Sequence, residues 1–354
     1  MSSSLDPRPP GPGASPETWG ISPGYHDVMG TWQETSRETA AALLDAMRTD
    51  EPLPPDPAWV VQPGEERPIG DGPWELVTED GARMPSGDRL PPDLPLGYHW
   101  LEHAGSERRR LVVVSPRRCH LPAGLHTWGW AAQLYALRSE GSWGIGDFAD
   151  LRRLGQWSKG LGAGMTLLNP LHAPLPTSAQ PSPYYPSSRC FRNPIYLRVE
   201  EVPGAAGAGV DLERLAAEGR ALNAERLIDR DRAWKLKLAA LEAIFEQFRH
   251  SGGDPAFERF VAAGGEPLAG FALHCALDEA LDGTWPSWPV GYRRPDSPEV
   301  ARFAAEHAER IRFHQWLQWC TELQLAAAGE AIDLVSDMAI GADPAGADAW
   351  LWQD

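Results

Sequence analysis

Two residues with chemically useful side chains each follow a short apolar run. Asp337 follows Ala331–Val335, and a carboxylate at the end of a buried strand is costly unless it has a partner. Tyr184 lies in the long Pro-, Ser- and Tyr-rich loop after Met165–Asn169, and such loops in compact domains are usually functional or disordered. The structural alternatives are that Tyr184 packs within its own loop, and that Asp337 caps the helix after Ala347 or forms a salt bridge.

These apolar runs belong to a pattern that predicts a parallel sheet. Gly129–Ala136 and Met165–Asn169 are expected to be buried strands, and the helix Phe148–Leu161 between them begins after its cap, Asp147. Strand, helix and strand in this order form a βαβ unit, whose two strands are parallel. Ala331–Val335 is the predicted third strand.

The chain has 354 residues, which suits two or three domains at ~100–200 residues each. Patterning divides it into six segments. They are a disordered tail (1–17), an N-terminal helical segment (18–58), a small β-sandwich (59–122), the start of an α/β domain (123–200), a helical segment (201–330) and the third strand with the residues after it (331–354).

The composition excludes several classes of function. A formal net charge of −17 argues against nucleic acids and anionic membranes as partners, because both attract clustered Lys and Arg. Residues 1–15 lack the apolar core of a signal peptide, and no run approaches the ~18 apolar residues that span a membrane.

The cysteines and the common motifs also argue against metals and nucleotides. The sequence contains no phosphate-binding loop, no Gly-x-Ser-x-Gly and no His-Glu-x-x-His, so we expect neither a cofactor nor a metal. Four widely spaced cysteines predict reduced, buried thiols of a cytoplasmic protein: Cys119, Cys190, Cys275 and Cys320. The 16 tryptophans are core residues by default, although indole also stacks on the apolar faces of sugar rings.

Four ordered motifs resemble one known family. The Tyr184 loop reads Ser-Pro-Tyr at 182–184, with Asn193-Pro194 downstream. Three other stretches agree in order, and a fourth fits the longer bacterial members: Leu134-Tyr135 with Gly144–Asp147, Phe313–Trp319, Ser336–Trp350, and Gly97–His99 in the β-region. Over about residues 19–354 the sequence resembles glycoside hydrolase family 77, the 4-α-glucanotransferases.

The resemblance implies the fold class α/β, as an incomplete TIM-type (β/α)8 barrel. The first three barrel strands would be present, with residues 201–330 as a helical insertion between the second and third. The small β-sandwich and the N-terminal helical segment would precede the barrel. In such barrels the active site lies at the carboxyl ends of the strands.

The resemblance also implies a retaining double displacement on maltooligosaccharides and other α-1,4-glucans, in which one carboxylate attacks the anomeric carbon and a second carboxyl protonates the leaving oxygen. The family's three catalytic acids follow later barrel strands, so we expect no catalytic residue in this chain. The chain is therefore expected to be an inactive fragment of a transferase.

The resemblance assigns substrate-binding roles to five residues. Tyr184 would stack on the sugar at the cleavage point, and Asp337 would orient substrate or neighbouring groups. Ser182, Pro183 and Asn193 would shape the loop. Met338-Ala339 departs conservatively from the family pattern. Asp343 stands where the family is expected to have His or a small apolar residue, so the local loop is expected to differ there.

Alternatives remain for the function and for other conspicuous residues. Asp147 is expected to be a helix cap and not a ligand, and Trp316 and Trp319 are expected to be core residues. The chain could instead be a non-catalytic α-glucan-binding protein derived from the same family. A hydrolase of the wider α-amylase clan is the third hypothesis, against which the Ser-Pro-Tyr loop argues.

Overall fold

The computed structural model of the chain describes residues 16–47, 58–70, 72–105, 109–177, 182–207 and 212–353. The chain divides into two compact units, residues 1–125 and 126–354. Most of the predicted disordered tail, residues 1–15, lies outside the described residues. Its last two residues belong to a short 3-10 helix, Pro16–Trp19.

The first unit begins with a hairpin as well as the predicted helix. Its elements are β1 (Gly24–His26), β2 (Trp32–Glu34) and α1 (Arg37–Met47). The hydroxyl of Ser36 accepts the backbone N–H of Thr39 at 3.1 Å and thereby caps α1. The prediction of an N-terminal helical segment therefore missed the hairpin.

A single mixed sheet follows where the sequence predicted a β-sandwich over residues 59–122. Its strands run in the order β3-β7-β6-β4-β5, with β3 parallel to β7. They are β3 (Ala58–Val61), β4 (Trp74–Val77), β5 (Arg83–Ser86), β6 (Gly97–His103) and β7 (Arg109–Val114). The buried side chains of this sheet pack with Leu90 and Leu94, from the segment between β5 and β6. A loop therefore covers the apolar face that a sandwich would cover with a second sheet.

The second unit contains a three-stranded parallel sheet in the order β12-β9-β8. The described residues of this unit form five strands: β8 (Gly129–Ala132), β9 (Met165–Leu168), β10 (His172–Ala173), β11 (Ser188–Arg192) and β12 (Asp333–Ser336). Of these, β10 and β11 form a separate antiparallel pair. The parallel sheet and its βαβ unit are confirmed. The first strand is shorter than predicted, because residues 134–136 turn into a 3-10 helix. It is also not fully buried: Trp130 is 41% exposed, since β8 is an edge strand.

Seven α-helices complete the described part of this unit. They are α2 (Phe148–Gly160), α3 (Leu212–Ala221), α4 (Arg230–His250), α5 (Pro255–Ala280), α6 (Pro298–Glu306), α7 (Ala308–Ala331) and α8 (Ala347–Leu351). Asp147 caps α2 as predicted, and its carboxylate accepts two backbone N–H groups. Trp316 and Trp319 on α7 are core residues, also as predicted. Trp316 packs against Phe245 and Phe248 of α4, with ring centroids 5.5 and 6.0 Å apart.

Among the described residues, α5 is the one helix that is long and apolar enough to cross a membrane. Gly265 interrupts it with a non-helical backbone (φ 51°), two residues before Pro267. The carboxyl-terminal part buries Phe271 and Cys275 in the unit's interior. Burial of this kind is typical of a core helix.

The cysteine prediction is correct only in part. Cys119, Cys190, Cys275 and Cys320 are all free thiols. Cys275 and Cys320 are buried, and burial raises the pKa of both thiols well above the usual value. Cys119 and Cys190 are exposed, which the sequence analysis did not predict.

A buried lysine connects α4 to the loop that returns from Tyr184. The ammonium of Lys237 donates to the carbonyl oxygens of Ile195 and Leu197 at 2.7 and 2.8 Å. Nearby, the guanidinium of Arg198 pairs with Asp147 at 2.6 Å. Burial lowers the pKa of Lys237 to about 8, although the charge of Asp147 opposes this shift.

We predict that replacing Lys237 changes how stability depends on pH. The pKa of Lys237 is about 8 in the folded chain and 10.5 ordinarily, so between these values only the unfolded chain holds the proton. The wild type should therefore gain about 2 kcal/mol in free energy of unfolding from about pH 7.5 to about pH 9.5 through this group. Urea unfolding should show that Lys237→Met lacks this gain.

The matched control is Lys235→Met, which changes an exposed lysine on the same helix. It should keep the pH-dependent gain of the wild type. Identical pH profiles for Lys237→Met and the wild type would contradict the prediction.

Candidate functional site

The three parallel strands end at one level. Leu168 at the end of β9 pairs with Ala132 of β8 and with Ser336 of β12. The backbone N–H of Asp337 donates to the carbonyl of Leu168 at 2.9 Å, which extends the pairing by one residue. Asp337 therefore lies at the carboxyl edge of the sheet, where loops from neighbouring parallel strands meet.

At this edge the structure brings Tyr184 and Asp337 together. The Tyr184 hydroxyl donates to Oδ2 of Asp337 at 2.7 Å, and Oδ1 accepts the N–H of Met338 at 2.9 Å. Tyr184 is 51% exposed, so part of this residue is accessible from solvent. The residue that caps α8 is Gly346 and not Asp337. The hydrogen bond to Asp337 raises the pKa of the Tyr184 phenol.

The other three predicted residues belong to the same loop and to the 3-10 turn that follows it. The hydroxyl of Ser182 accepts the N–H of Tyr184 at 3.3 Å, which forms a tight turn that includes Pro183. The side chain of Asn193 accepts the N–H of Ile195 at 3.0 Å and caps a 3-10 turn. Ser182, Pro183 and Asn193 line one small cavity. Their contacts are those of residues that shape a loop; substrate binding by them stays a prediction.

Asn169, which was not among the predicted site residues, joins three segments of the chain near the end of β9. Its buried Oδ1 accepts the N–H of Leu134 at 2.7 Å, and its Nδ2 contacts the hydroxyl of Tyr196 at 3.3 Å. The signal was present, because a polar residue directly follows the apolar run of β9. Arg230 was also missed: it stacks over Tyr135 at 5.0 Å, and no local pattern connects the two.

A second cavity of about 80 Å³ adjoins the first. The two cavities share four lining residues: Pro174, Asn193, Ile195 and Arg230. Trp234 and Phe271 supply apolar surface to the larger one, and Asp231 and Gln318 supply polar atoms. Aromatic faces with a few polar groups suit an uncharged ligand that has both apolar faces and hydroxyl edges.

We predict that the raised pKa of Tyr184 depends on Asp337. Ionising the phenol would remove the donated proton and leave two negative oxygens in contact, so the pKa lies above the ordinary 10.0. In Asp337→Asn the pKa should fall towards 10.0, because an amide has no negative charge. The ultraviolet absorbance of each protein, minus that of its Tyr184→Phe derivative, isolates this one phenol.

Asp333→Asn provides the control for this titration, because it removes an exposed carboxylate from β12, the strand that precedes Asp337. The Tyr184 pKa should stay raised in this variant. A Tyr184 pKa that stays raised in Asp337→Asn would contradict the prediction.

Comparison with known proteins is consistent with the motifs. A family model described as 4-alpha-glucanotransferase, of glycoside hydrolase family 77, matches residues 132–354. The 4-alpha-glucanotransferase of Mycobacterium tuberculosis is 44% identical over 292 residues, which cover 75% of this chain and 40% of that protein. The Haemophilus influenzae 4-alpha-glucanotransferase is 33% identical over 294 residues, 74% of this chain and 42% of that protein.

A solved structure is similar over almost the whole chain. The amylomaltase of Corynebacterium glutamicum superposes with a TM-score of 0.68 at 28% identity, covering 94% of this chain and 55% of that one. The chain thus spans about two-fifths of the length of the curated relatives it matches. The family model covers well over half of the chain, so the chain belongs to the 4-alpha-glucanotransferases of glycoside hydrolase family 77.

Proposed function

We propose that this chain forms the N-terminal part of the substrate site of a 4-α-glucanotransferase. The observation that carries the proposal is the Tyr184–Asp337 pair, which lies where three parallel strands of a family member end. An exposed phenol ring can stack on the apolar face of a glucose unit. A carboxylate beside it can accept hydrogen bonds from the hydroxyl groups of the sugar.

The proposed reaction moves an α-1,4-glucan segment from one 4-hydroxyl group to another with retention at the anomeric carbon. A carboxylate attacks that carbon and forms a glycosyl-enzyme ester, while a carboxylic acid protonates the departing 4-oxygen. The acceptor's 4-hydroxyl then attacks the same anomeric carbon and gives its proton to the group that protonated the first leaving oxygen, and the bond from that carbon to the carboxylate breaks. In this proposal both groups come from outside residues 1–354, and this chain holds the glucan.

We further propose that the three strands are the first three of a (β/α)8 barrel. Purely parallel sheets are normally covered on both faces, and exposed strand edges are normally avoided. Here Trp130 of β8 stacks on Trp157 of α2 at 5.9 Å and contacts Trp128, and all three are at least 41% exposed. Further strands and helices beside β8 would bury this tryptophan cluster.

Maltooligosaccharides and longer α-1,4-glucans are the proposed ligands, and the cytoplasm is the proposed location. The two adjoining cavities extend from the Tyr184 loop to Trp234 and would lie beside sugar units beyond the cleavage point. Their mix of aromatic and polar lining suits a neutral sugar, and the net charge of −17 disfavours polyanionic partners.

A second candidate function is glucan binding without catalysis. It is favoured by the geometry of Tyr184 and Asp337, which already form their 2.7 Å hydrogen bond in this chain. A site that is organised in advance costs little ordering entropy when a ligand binds.

We predict that a chimera will have transferase activity that depends on Tyr184. Residues 1–354 would be joined to the portion of the Mycobacterium tuberculosis relative that lies beyond its matched region. The chimera should release glucose from maltotriose and form longer oligosaccharides. Tyr184→Ala should lower kcat/KM by about 10- to 100-fold, because burying an aromatic face against a ligand is worth ~1.5–3 kcal/mol.

Tyr185→Ala is the matched control, since it removes a neighbouring exposed tyrosine, and it should keep most of the activity. The proposal fails if the chimera is folded by circular dichroism and releases no glucose under conditions where the intact relative does. Equal losses in the two variants would overturn the role of Tyr184.

For the second candidate we predict that the 354-residue chain alone binds maltoheptaose in calorimetry, and that Tyr184→Ala abolishes the heat signal. Cellobiose, whose β linkage presents its ring faces differently, serves as the control sugar and should not bind. Binding of both sugars, or of neither, would argue against a specific glucan site in this chain.

A further inference from the structure

Two loops at the carboxyl edge of the sheet are joined by backbone hydrogen bonds. We call this contact the clasp: residues 186–189 of the Tyr184 loop against residues 339–348, which come after Asp337. The N–H of Asp343 donates to the carbonyl of Pro186 at 2.7 Å, and that of Asp348 to the carbonyl of Ser187 at 3.0 Å. The clasp therefore joins the segment that follows Tyr184 to the segment that follows Asp337.

The centre of the clasp requires a close approach of the two backbones. The hydroxyl of Ser187 accepts the N–H of Ala347 at 2.9 Å, and both residues are buried. A Cβ atom on Gly346 would lie only 2.6 Å from the Cα and carbonyl oxygen of Ser187. Glycine is thus required at residue 346 by space and not by backbone angle, and the two loops are fixed in register here.

Arg189 holds the part of the second loop that is nearest to Asp337. Its guanidinium Nη1 donates to the carbonyl oxygens of Ile340 and Ala339 at 3.0 and 3.4 Å. Its backbone N–H donates to the carboxylate of Asp348 at 2.8 Å. One residue therefore contacts both ends of residues 339–348.

The held segment has little side-chain packing of its own. Met338 is 64% exposed and Ile340 is 97% exposed, while only Ala339 between them is buried. Hydrogen bonds from a guanidinium to these carbonyls are charge-assisted and therefore stronger than neutral ones. A lysine would keep the positive charge, but its side chain is one atom shorter, so its ammonium would reach these carbonyls less well.

We infer that Arg189 is a positioning residue that keeps Asp337 in reach of Tyr184 by holding the carbonyls of Ala339 and Ile340. It acts through the chain and does not itself join the pair. Its contribution to glucan transfer rests on the proposed function, but its effect on the pair does not. Losing the guanidinium should release Met338–Ile340 and let the Asp337 carboxylate move away from the phenol.

The first test measures the pair directly and needs no glucan. The Tyr184 pKa would be determined by ultraviolet difference titration in the wild type, Arg189→Met and Arg189→Lys, each against its own Tyr184→Phe derivative. Arg189→Met should bring the pKa back towards 10.0, and Arg189→Lys should give an intermediate value. Arg192→Met, on the same strand β11, is the matched control and should leave the Tyr184 pKa unchanged.

An unchanged Tyr184 pKa in Arg189→Met overturns the inference, even if that variant is less stable to heat, because a purely structural role would lower stability alone. If Arg189→Met does not fold, Arg189→Lys and Arg189→Gln decide in the same way. A fall in pKa in Arg192→Met as large as in Arg189→Met would also overturn it.

The second test asks whether positioning matters for transfer. In the chimera with the Mycobacterium tuberculosis relative, Arg189→Met should lower kcat for maltotriose about 10-fold, and Arg189→Lys should restore part of it, as expected when ~1.4 kcal/mol of orientation is lost. An inactive wild-type chimera with a pKa fall in Arg189→Met would refute the transferase proposal and leave the positioning role standing. An active chimera in which Arg189→Met leaves the Tyr184 pKa unchanged would support the transferase proposal and refute the positioning role.

Discussion

The register of three parallel strands determines where the candidate site residues lie. Leu168 pairs with Ala132 on one side and Ser336 on the other, and its carbonyl also accepts the N–H of Asp337. A slip of one residue would turn every side chain of the strand to the opposite face of the sheet. It would also move Asp337 by about 3.3 Å, which is enough to break a hydrogen bond with Tyr184.

Local patterns predicted the parallel sheet and the helices well, because periodicity and caps are properties of neighbouring residues. The acidic cap Asp147 marked the start of α2 to the residue. Local patterns predicted burial incorrectly where it depends on which distant segment packs against a strand. The apolar residues of the β-region indicate that the sheet has a buried face. They do not indicate what covers that face, which is Leu90 and Leu94 and not a second sheet. Likewise the apolar run at Trp130 predicts burial, although the strand is at an edge.

The residues of the candidate site also divide into those that a local sequence pattern reveals and those that it does not. Tyr184 and Asp337 could be found because each belongs to a short motif that follows an apolar run. Asn169 could have been found in the same way. Arg189 and Arg230 could not, since their partners are Ala339 and Ile340 in one case and Tyr135 in the other, far away along the chain. Residues that position others across such distances leave no local pattern in a single sequence.

The Tyr184–Asp337 hydrogen bond is too exposed to organise these loops by itself. An exposed bond of this kind contributes little net stability, because water competes for both partners. Two cationic side chains hold the loops. Lys237 donates to the carbonyls of Ile195 and Leu197, and Arg189 donates to the carbonyl of Ile340, three residues after Asp337. Burying Lys237 is costly, which its lowered pKa reflects. The geometry of the site therefore depends on two side chains outside the Tyr184–Asp337 pair, the buried Lys237 and the exposed Arg189.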